Sequence, residues 1–381
     1  MENSDTSISV LIPDGEHYYF RTIANCLSEA NNLKIYLFSN KKDLPMRYSR
    51  FIDHFSYYPK TSDVKEWIAQ INSETERHDI DLILPVFEDS MRALLENKNL
   101  LTNAKKLMLL PTLENYKIAL NKGLFAQHLY AQNIPQPKTA HTKNGQLAND
   151  AVLEIGFPML VKPGLNSGGG MGIKILKNQE ALDGFLTTQK NVDSYVFQEF
   201  IEGEDVGCNV LCKNGEILAY TIQKGFLWSS RPYTPQVGLN FIFKEDVYAI
   251  VSKLMKSLNW SGVANIDFLF DKKNNCFKVL EINPRYWATM EASLIAGVNF
   301  PYLYCLMSLG KSFEQPTYRH ISYLSVQGVI ISVRKDIGLL ARPRYLLKNT
   351  PLRFAFRDSI AHLYHYSWAI KKTLFSRKQR K

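Results

Sequence analysis

Over residues 8–111 short runs of branched and aromatic side chains alternate with longer stretches of helical periodicity. The runs "ISVLI" (8–12), "KIYLF" (34–38), "FSYY" (55–58), "DLILPV" (81–86) and "KLMLLP" (106–111) read as strands, and the spacing between them predicts helices over about 17–30, 63–77 and 88–97. Strands and helices alternating in this way predict a parallel sheet covered on both faces. The loops "PDGEH" (13–17) and "PVFED" (85–89) then fall at its carboxyl edge, where such sheets bind ligands. No GxGxxG occurs at the first turn, so a dinucleotide is not indicated. Residues 113–132 read as one helix, ended by the extended "NIPQPKT" (133–139), where the prolines forbid helix and mark a domain boundary. Beyond it, "SYVFQEFIEGEDVGCNVLCKNGEILAYTIQK" (194–224) reads as strands broken by turns at "EGED" and "KNGE". "VANIDFLFDKKNNCFKVLEINP" (263–284) reads as a hairpin turning at "DKKNN".

With 381 residues, 45 % of them apolar, the chain exceeds a single core and should form two or three packed units. Its opening "MENSDTS" is polar and no stretch reaches the roughly 18 apolar residues that span a bilayer, which predicts a cytoplasmic protein. The five cysteines, Cys26, Cys208, Cys212, Cys276 and Cys305, are scattered without a CxxC or a Cys/His cluster at zinc spacing, and read as buried free thiols. His362 and His365 lack acidic or thiol company and read as surface residues. The net charge of +10 would suggest nucleic acid, but 13 Lys/Arg against two acids lie between Ser332 and Lys381. The body is close to neutral, so nucleic acid is not expected as a partner.

"VKPGLNSGGGMGIKIL" (161–176) places five glycines between Gly164 and Gly172. A Walker loop is excluded because no Gly-Lys-Ser/Thr follows. A structural turn needs less glycine than this, which leaves a flap between antiparallel strands whose bare N–H groups fold over a polyphosphate, with Lys162 within reach of the same phosphates. Phosphate binding calls for metal-holding acids. Asp267, with Glu281 and Asn283 two residues apart on one strand face, offers the hard oxygen donors that Mg²⁺ takes. Arg285, just past Pro284, can fork onto phosphate or carboxylate oxygens. Each alone would be an ordinary surface charge; their order along the chain is the signal.

That order resembles the ATP-grasp superfamily, through "NKGLFAQHLYAQNIPQPKT", "GFPMLVKPGLNSGGGMGI", "VFQEFIEGED", "VANIDFLF" and "VLEINPRYW" across about residues 112–310. The arrangement is most similar to its carboxylate-amine ligase branch. The resemblance implies an N-terminal parallel α/β domain (1–112), then a two-lobed ATP-grasp domain of antiparallel sheets and helices (113–310), then a basic helical C-terminal extension (311–381). The lobes would be a smaller one with the flap (about 138–200) and a metal-binding one (201–310). It implies ATP and Mg²⁺, or Mn²⁺ in its place, as cofactors. Lys122 and Lys162 would contact phosphates and Ser167, Gly168, Gly169, Gly170 and Gly172 would close over them. Gln198, Glu199 and Phe200 would hold adenine, and Glu204 or Asp205 the ribose hydroxyls. Asp267, Glu281 and Asn283 would hold the metal, with Arg285 near the transferred phosphate. Asn121 stands where the family often has Asp.

The implied activity is phosphorylation of a substrate carboxylate and attack of an amine on the acyl phosphate. Phosphoryl transfer to a hydroxyl, a thiol acceptor, and a non-catalytic nucleotide-binding scaffold are the alternatives. Substrates would bridge the N-terminal unit and the cleft. Arg231, in "WSSRPYTPQVG", is a substrate-side candidate; Glu16 and Glu88 could face an amine or simply favour helix N-termini. The segment 357–381 carries apolar residues at helical spacing and ends in cations, so it can lie peripherally on the inner face of an anionic membrane, dock on a partner, or remain a solvated tail. The sequence is silent on oligomeric state.

Overall fold

Four short strands, Ile8–Ile12 (β1), Leu33–Ser39 (β2), His54–Tyr57 (β3) and Leu82–Ile83 (β4), pair in the order β3-β2-β1-β4, all parallel. Every residue of β1 is buried, as a central strand covered on both faces requires. Helices Phe20–Leu27 (α1), Val64–Arg77 (α2) and Glu88–Glu96 (α3) alternate with these strands. The run at 106–111, expected as a strand, makes only a single parallel bridge, Ile83 to Leu107. This computed structural model describes residues 7–17, 19–142, 146–165, 172–229, 236–361 and 363–364.

The expected single helix over 113–132 is two, Leu113–Leu120 (α4) and Lys122–Ala131 (α5), broken at Asn121. Asn121 takes an extended conformation and its Oδ1 accepts the N–H groups of Gly123 (2.9 Å) and Leu124 (3.1 Å), so it caps a new helix instead of continuing the old one. A small antiparallel sheet follows, of Thr139–His141 (β5), Met159–Pro163 (β6), Lys174–Leu176 (β7) and Tyr195–Glu199 (β8), ordered β5-β8-β6-β7. Helices Asn149–Ile155 (α6) and Gln179–Thr188 (α7) flank it, and Met159, Val161, Leu182, Phe185 and Phe197 share its core.

The larger antiparallel sheet contains Gly203–Lys213 (β9), Glu216–Leu227 (β10), Gly238–Phe241 (β11), Gly262–Asp271 (β12) and Cys276–Asn283 (β13), in the order β13-β12-β9-β10-β11. Glu245–Ser257 (α8) packs on β9 and β10. The hairpin expected over 263–284 is β12 and β13, and the turn expected at "KNGE" joins β9 to β10 with positive φ at Asn214 and Gly215. The turn expected at "EGED" is not formed. Gly203 already opens β9, because the chain passes here from one sheet to the other and has no hairpin to close.

After Pro284 come Met290–Ala296 (α9), Phe300–Ser308 (α10), Val326–Lys335 (α11), Pro343–Asn349 (α12) and Leu352–Arg357 (α13). The chain forms two compact units, the first of residues up to Leu110 with Arg285–Arg319 and the chain from Tyr323, the second of Pro111–Pro284 with His320–Ser322. In the first, Tyr304 Oη donates to Leu109 O (2.6 Å) and Asn25 Nδ2 to the buried carboxylate of Glu291 (2.6 Å). Among the described residues no helix is long and apolar enough to cross a membrane, and no cysteine is bridged. The fold also gathers His54, Glu74 and His78, which no sequence spacing flagged; Glu74 there accepts from Ser56 Oγ (2.6 Å) and Arg77 (3.0 Å).

Candidate active site

In the second unit the β12–β13 register sets Asp267 opposite Glu281 and Asn265 opposite Asn283, with a bulge after Asp267. Opposite residues of an antiparallel pair share a face, so four polar side chains come together at this end of the hairpin. Asn283 Nδ2 lies 3.1 Å from Asp267 Oδ2 and 3.4 Å from Glu281 Oε1, donating between the two carboxylates. The same nitrogen reaches Asn265 Oδ1 at 3.2 Å. Asn265 Nδ2 donates to Asn209 Oδ1 (3.1 Å), and Asn209 Nδ2 to Gln223 Oε1 (3.0 Å) and Thr221 Oγ1 (3.1 Å). An amide ladder thus crosses β13, β12, β9 and β10, each rung donating away from the carboxylate pair. Asn209, Thr221 and Gln223 are buried, where polar groups are kept only when bonded.

Two lysines complete the cluster. Lys122 opens α5, its N–H held by Gly164 O (3.0 Å), and its Nζ stands 3.7 Å from Glu281 Oε2. Lys162 is buried on β6. Burial pulls its ammonium down to about 8, Glu281 and Asp267 acting against the fall and Lys122 adding to it. These couplings put Lys162, Lys122, Glu281 and Asp267 in one neighbourhood. Two carboxylates and an amide are a hard oxygen donor set of the kind Mg²⁺ takes, and two lysines beside them suit an anion bridging to that cation.

The other expected site residues are placed as follows. Gln198 is buried on β8 and donates to Thr139 Oγ1 (3.0 Å). Glu199 ends β8 and its Oε2 accepts from Lys278 Nζ (3.0 Å) and the Lys138 N–H (3.2 Å). Lys278 also meets Asp271 Oδ2 (2.9 Å), so β8 of the small sheet is tied to the β12–β13 hairpin of the large one across Phe200, the first residue between the sheets. Burial pushes the Asp271 carboxyl up, but the bonds from Asn274 and Lys278 outweigh it and hold it at about 2. Register separates the two ribose candidates. Asp267 faces Gly207, so Asp205 shares its face, while Glu204 points to the other, bound by Lys224 (2.6 Å) and Lys272 (3.5 Å). Gly172 has φ +78, and a Cβ there would meet Pro163 Cγ at 2.9 Å. Ser167, Gly168, Gly169, Gly170 and Arg231 lie outside the described residues, as do His362, His365 and the rest of the basic tail from 365 on.

Arg285 belongs to the first unit, where its Nε meets Glu88 Oε1 at 2.9 Å and its guanidinium lies over Tyr19. Glu88 lies in the first turn of α3. Glu16 caps no helix among the described residues; it accepts from Ser39 Oγ (3.1 Å) and Asn40 Nδ2 (2.9 Å) at the end of β2. Asp14 was not foreseen. Its carboxylate accepts the N–H groups of Val86 (3.0 Å) and Phe87 (3.0 Å), joining the two carboxyl-edge loops. Burial pushes it up to about 7 against the hydrogen bond from Ser90. The amide ladder was missed too, although a lone Asn inside "VGCNVLC" and "VANID" was a readable signal of a buried polar partner.

Residues 119–289 match the family model of the ATP-grasp domain. Among solved structures, N5-carboxyaminoimidazole synthetase from Staphylococcus aureus complexed with ADP is similar at 17 % identity and TM-score 0.66, over 89 % of this chain and 86 % of that one. The biotin carboxylase domain of the Hydrogenobacter thermophilus 2-oxoglutarate carboxylase, with MgADP and bicarbonate, matches at 18 % and 0.62, over 81 % of this chain and 71 % of that one. L-amino acid ligase from Bacillus licheniformis matches at 16 % and 0.59, over 82 % and 75 %.

Proposed function

We propose that this chain, which carries an ATP-grasp domain over residues 119–289, is an ATP- and Mg²⁺-dependent ligase that activates a substrate carboxylate as an acyl phosphate and joins it to an amine. The observation that supports it most is the meeting of Lys122, Lys162, Asp267, Glu281 and Asn283, from four separate elements, around one point of the second unit. The ADP and MgADP bound in two similar structures, and the name of the amino acid ligase, support the same reading.

A carboxylate resists an amine because it is anionic and has no leaving group. Transfer of the γ-phosphoryl group to one carboxylate oxygen releases ADP and supplies both a neutral carbonyl and a leaving phosphate. The amine nitrogen then bonds to the carbonyl carbon, the C–O bond to phosphate breaks, and the amine loses a proton. Protein groups contribute position and charge, which is how such transfers are accelerated without a covalent nucleophile. Lys122 and Lys162 hold phosphate oxygens and offset charge as the phosphoryl group moves. Asp267, Glu281 and Asn283 would hold Mg²⁺, which when bound neutralises the β- and γ-phosphate oxygens. Backbone at Phe200 is assigned to adenine and Asp205 to the ribose. The role of Arg285, two residues past Asn283, rests on its place in the chain.

The test is ADP release by the purified full chain with amino acids, amino sugars and small peptides as paired substrates, followed by product mass. An amide product supports the reading; a phosphate ester or a thioester would replace it. Glu281→Gln should lower acceptor-dependent ADP release by about 10²–10³ with an unchanged melting curve. Wild-type turnover in that variant would remove Glu281 from the site.

A further inference from the structure

The C-terminal part of the first unit contains a helical segment that is apolar on its outer side. Phe354 on α13 and, past the end of that helix at Arg357, Asp358 and Ala361 are buried, and Asp358 fastens the segment by accepting from Ser49 Oγ (2.5 Å) and the Arg50 N–H (3.1 Å). Phe356 on α13, and Ile360 and Leu363 after it, are 73, 70 and 69 % exposed. Tyr364 leans on Tyr48, ring centroids 5.5 Å apart, and both rings are exposed too. Surface segments ordinarily turn polar residues outward, so an exposed apolar stripe of this kind marks a contact surface.

Charge identifies the contact. Arg353 and Arg357 on the same segment are held by Glu29, and the chain that follows the stripe, residues 365–381, contains six Lys/Arg and no acid. A second copy of this surface would set like charges against each other. A lipid surface bearing negative headgroups offers an apolar layer for the stripe and counter-charge for the cations at once. We infer that Phe356, Ile360 and Leu363 insert into the boundary of an anionic membrane. This attachment is independent of the chemistry proposed above.

Flotation of the full chain with vesicles of neutral phosphatidylcholine, and with vesicles containing phosphatidylglycerol, tests it. The protein should float with the anionic vesicles only, and high salt should weaken but not abolish the binding. A variant with Phe356→Ser, Ile360→Ser and Leu363→Ser should keep its melting curve, because the three side chains are exposed, and lose about tenfold or more in partitioning. No flotation of the wild type, or equal flotation of the variant, overturns the inference. So does an oligomer of the wild type that the variant disperses, since the stripe would then belong to a second copy.

Discussion

Lys162 carries the pH dependence expected of the site. An amine whose folded value is about 8 against an ordinary 10.5 binds fewer protons folded than unfolded between those values, so its contribution to stability improves as pH rises across that window and its burial costs most below about 8. Nucleotide binding should run the other way. If Lys162 holds phosphate as proposed, the oxygens need its ammonium, so affinity for ATP should fall about tenfold from about pH 7 to about pH 9.5, measured by titration calorimetry. Lys162→Met should show the weak affinity at both values; a wild type that binds equally at both would place this amine away from the phosphates. Lysine at the end of a strand before a glycine run was readable in the sequence. Its depressed proton affinity was not, because it comes from burial, with Lys122 adding to it, and only folding supplies both.

Strand alternation made the β12–β13 hairpin readable, and with it the shared face of Glu281 and Asn283, since a period of two is written directly in the order of side chains. The break at Asn121 escaped the same kind of reading. Helical periodicity runs through it, and the break shows only in the extended backbone of Asn121 and the bonds its side chain accepts from Gly123 and Leu124. The amide ladder is likewise a property of register, not of any one strand. It should fix the orientation of Asn283, so Asn209→Leu, far along the ladder, is expected to weaken apparent Mg²⁺ affinity by about 10–100-fold, as loss of partners behind metal ligands commonly does. Turnover at saturating Mg²⁺ should largely survive. A variant needing no more Mg²⁺ than the wild type would reduce the ladder to packing.

In the whole molecule, the first unit is assembled from distant parts of the chain, and Asn25 with Glu291, 266 positions apart, is one of its closures. Asn25→Leu would leave the buried Glu291 carboxylate without that donor, and a loss of about 2–3 kcal/mol in urea unfolding is expected. An unchanged midpoint would mean that other groups already satisfy the carboxylate. The domain boundaries drawn at 112 and 310 followed chain order, whereas residues 285–319 pack with the first unit, a distinction invisible to composition. What the sequence determined by itself was local: strand and helix periods, the glycine run, the ordered lysines and acids, and the basic end, all of which depend on neighbours a few positions away. Only the tertiary structure decided that Asp205 and not Glu204 shares the Asp267 face, that Asn209 and Asn265 stand behind Asn283, and that Phe356, Ile360 and Leu363 look outward. Those depend on which strands pair and in what register, and on which face of a helix is buried, quantities set by packing between segments that are remote in the chain.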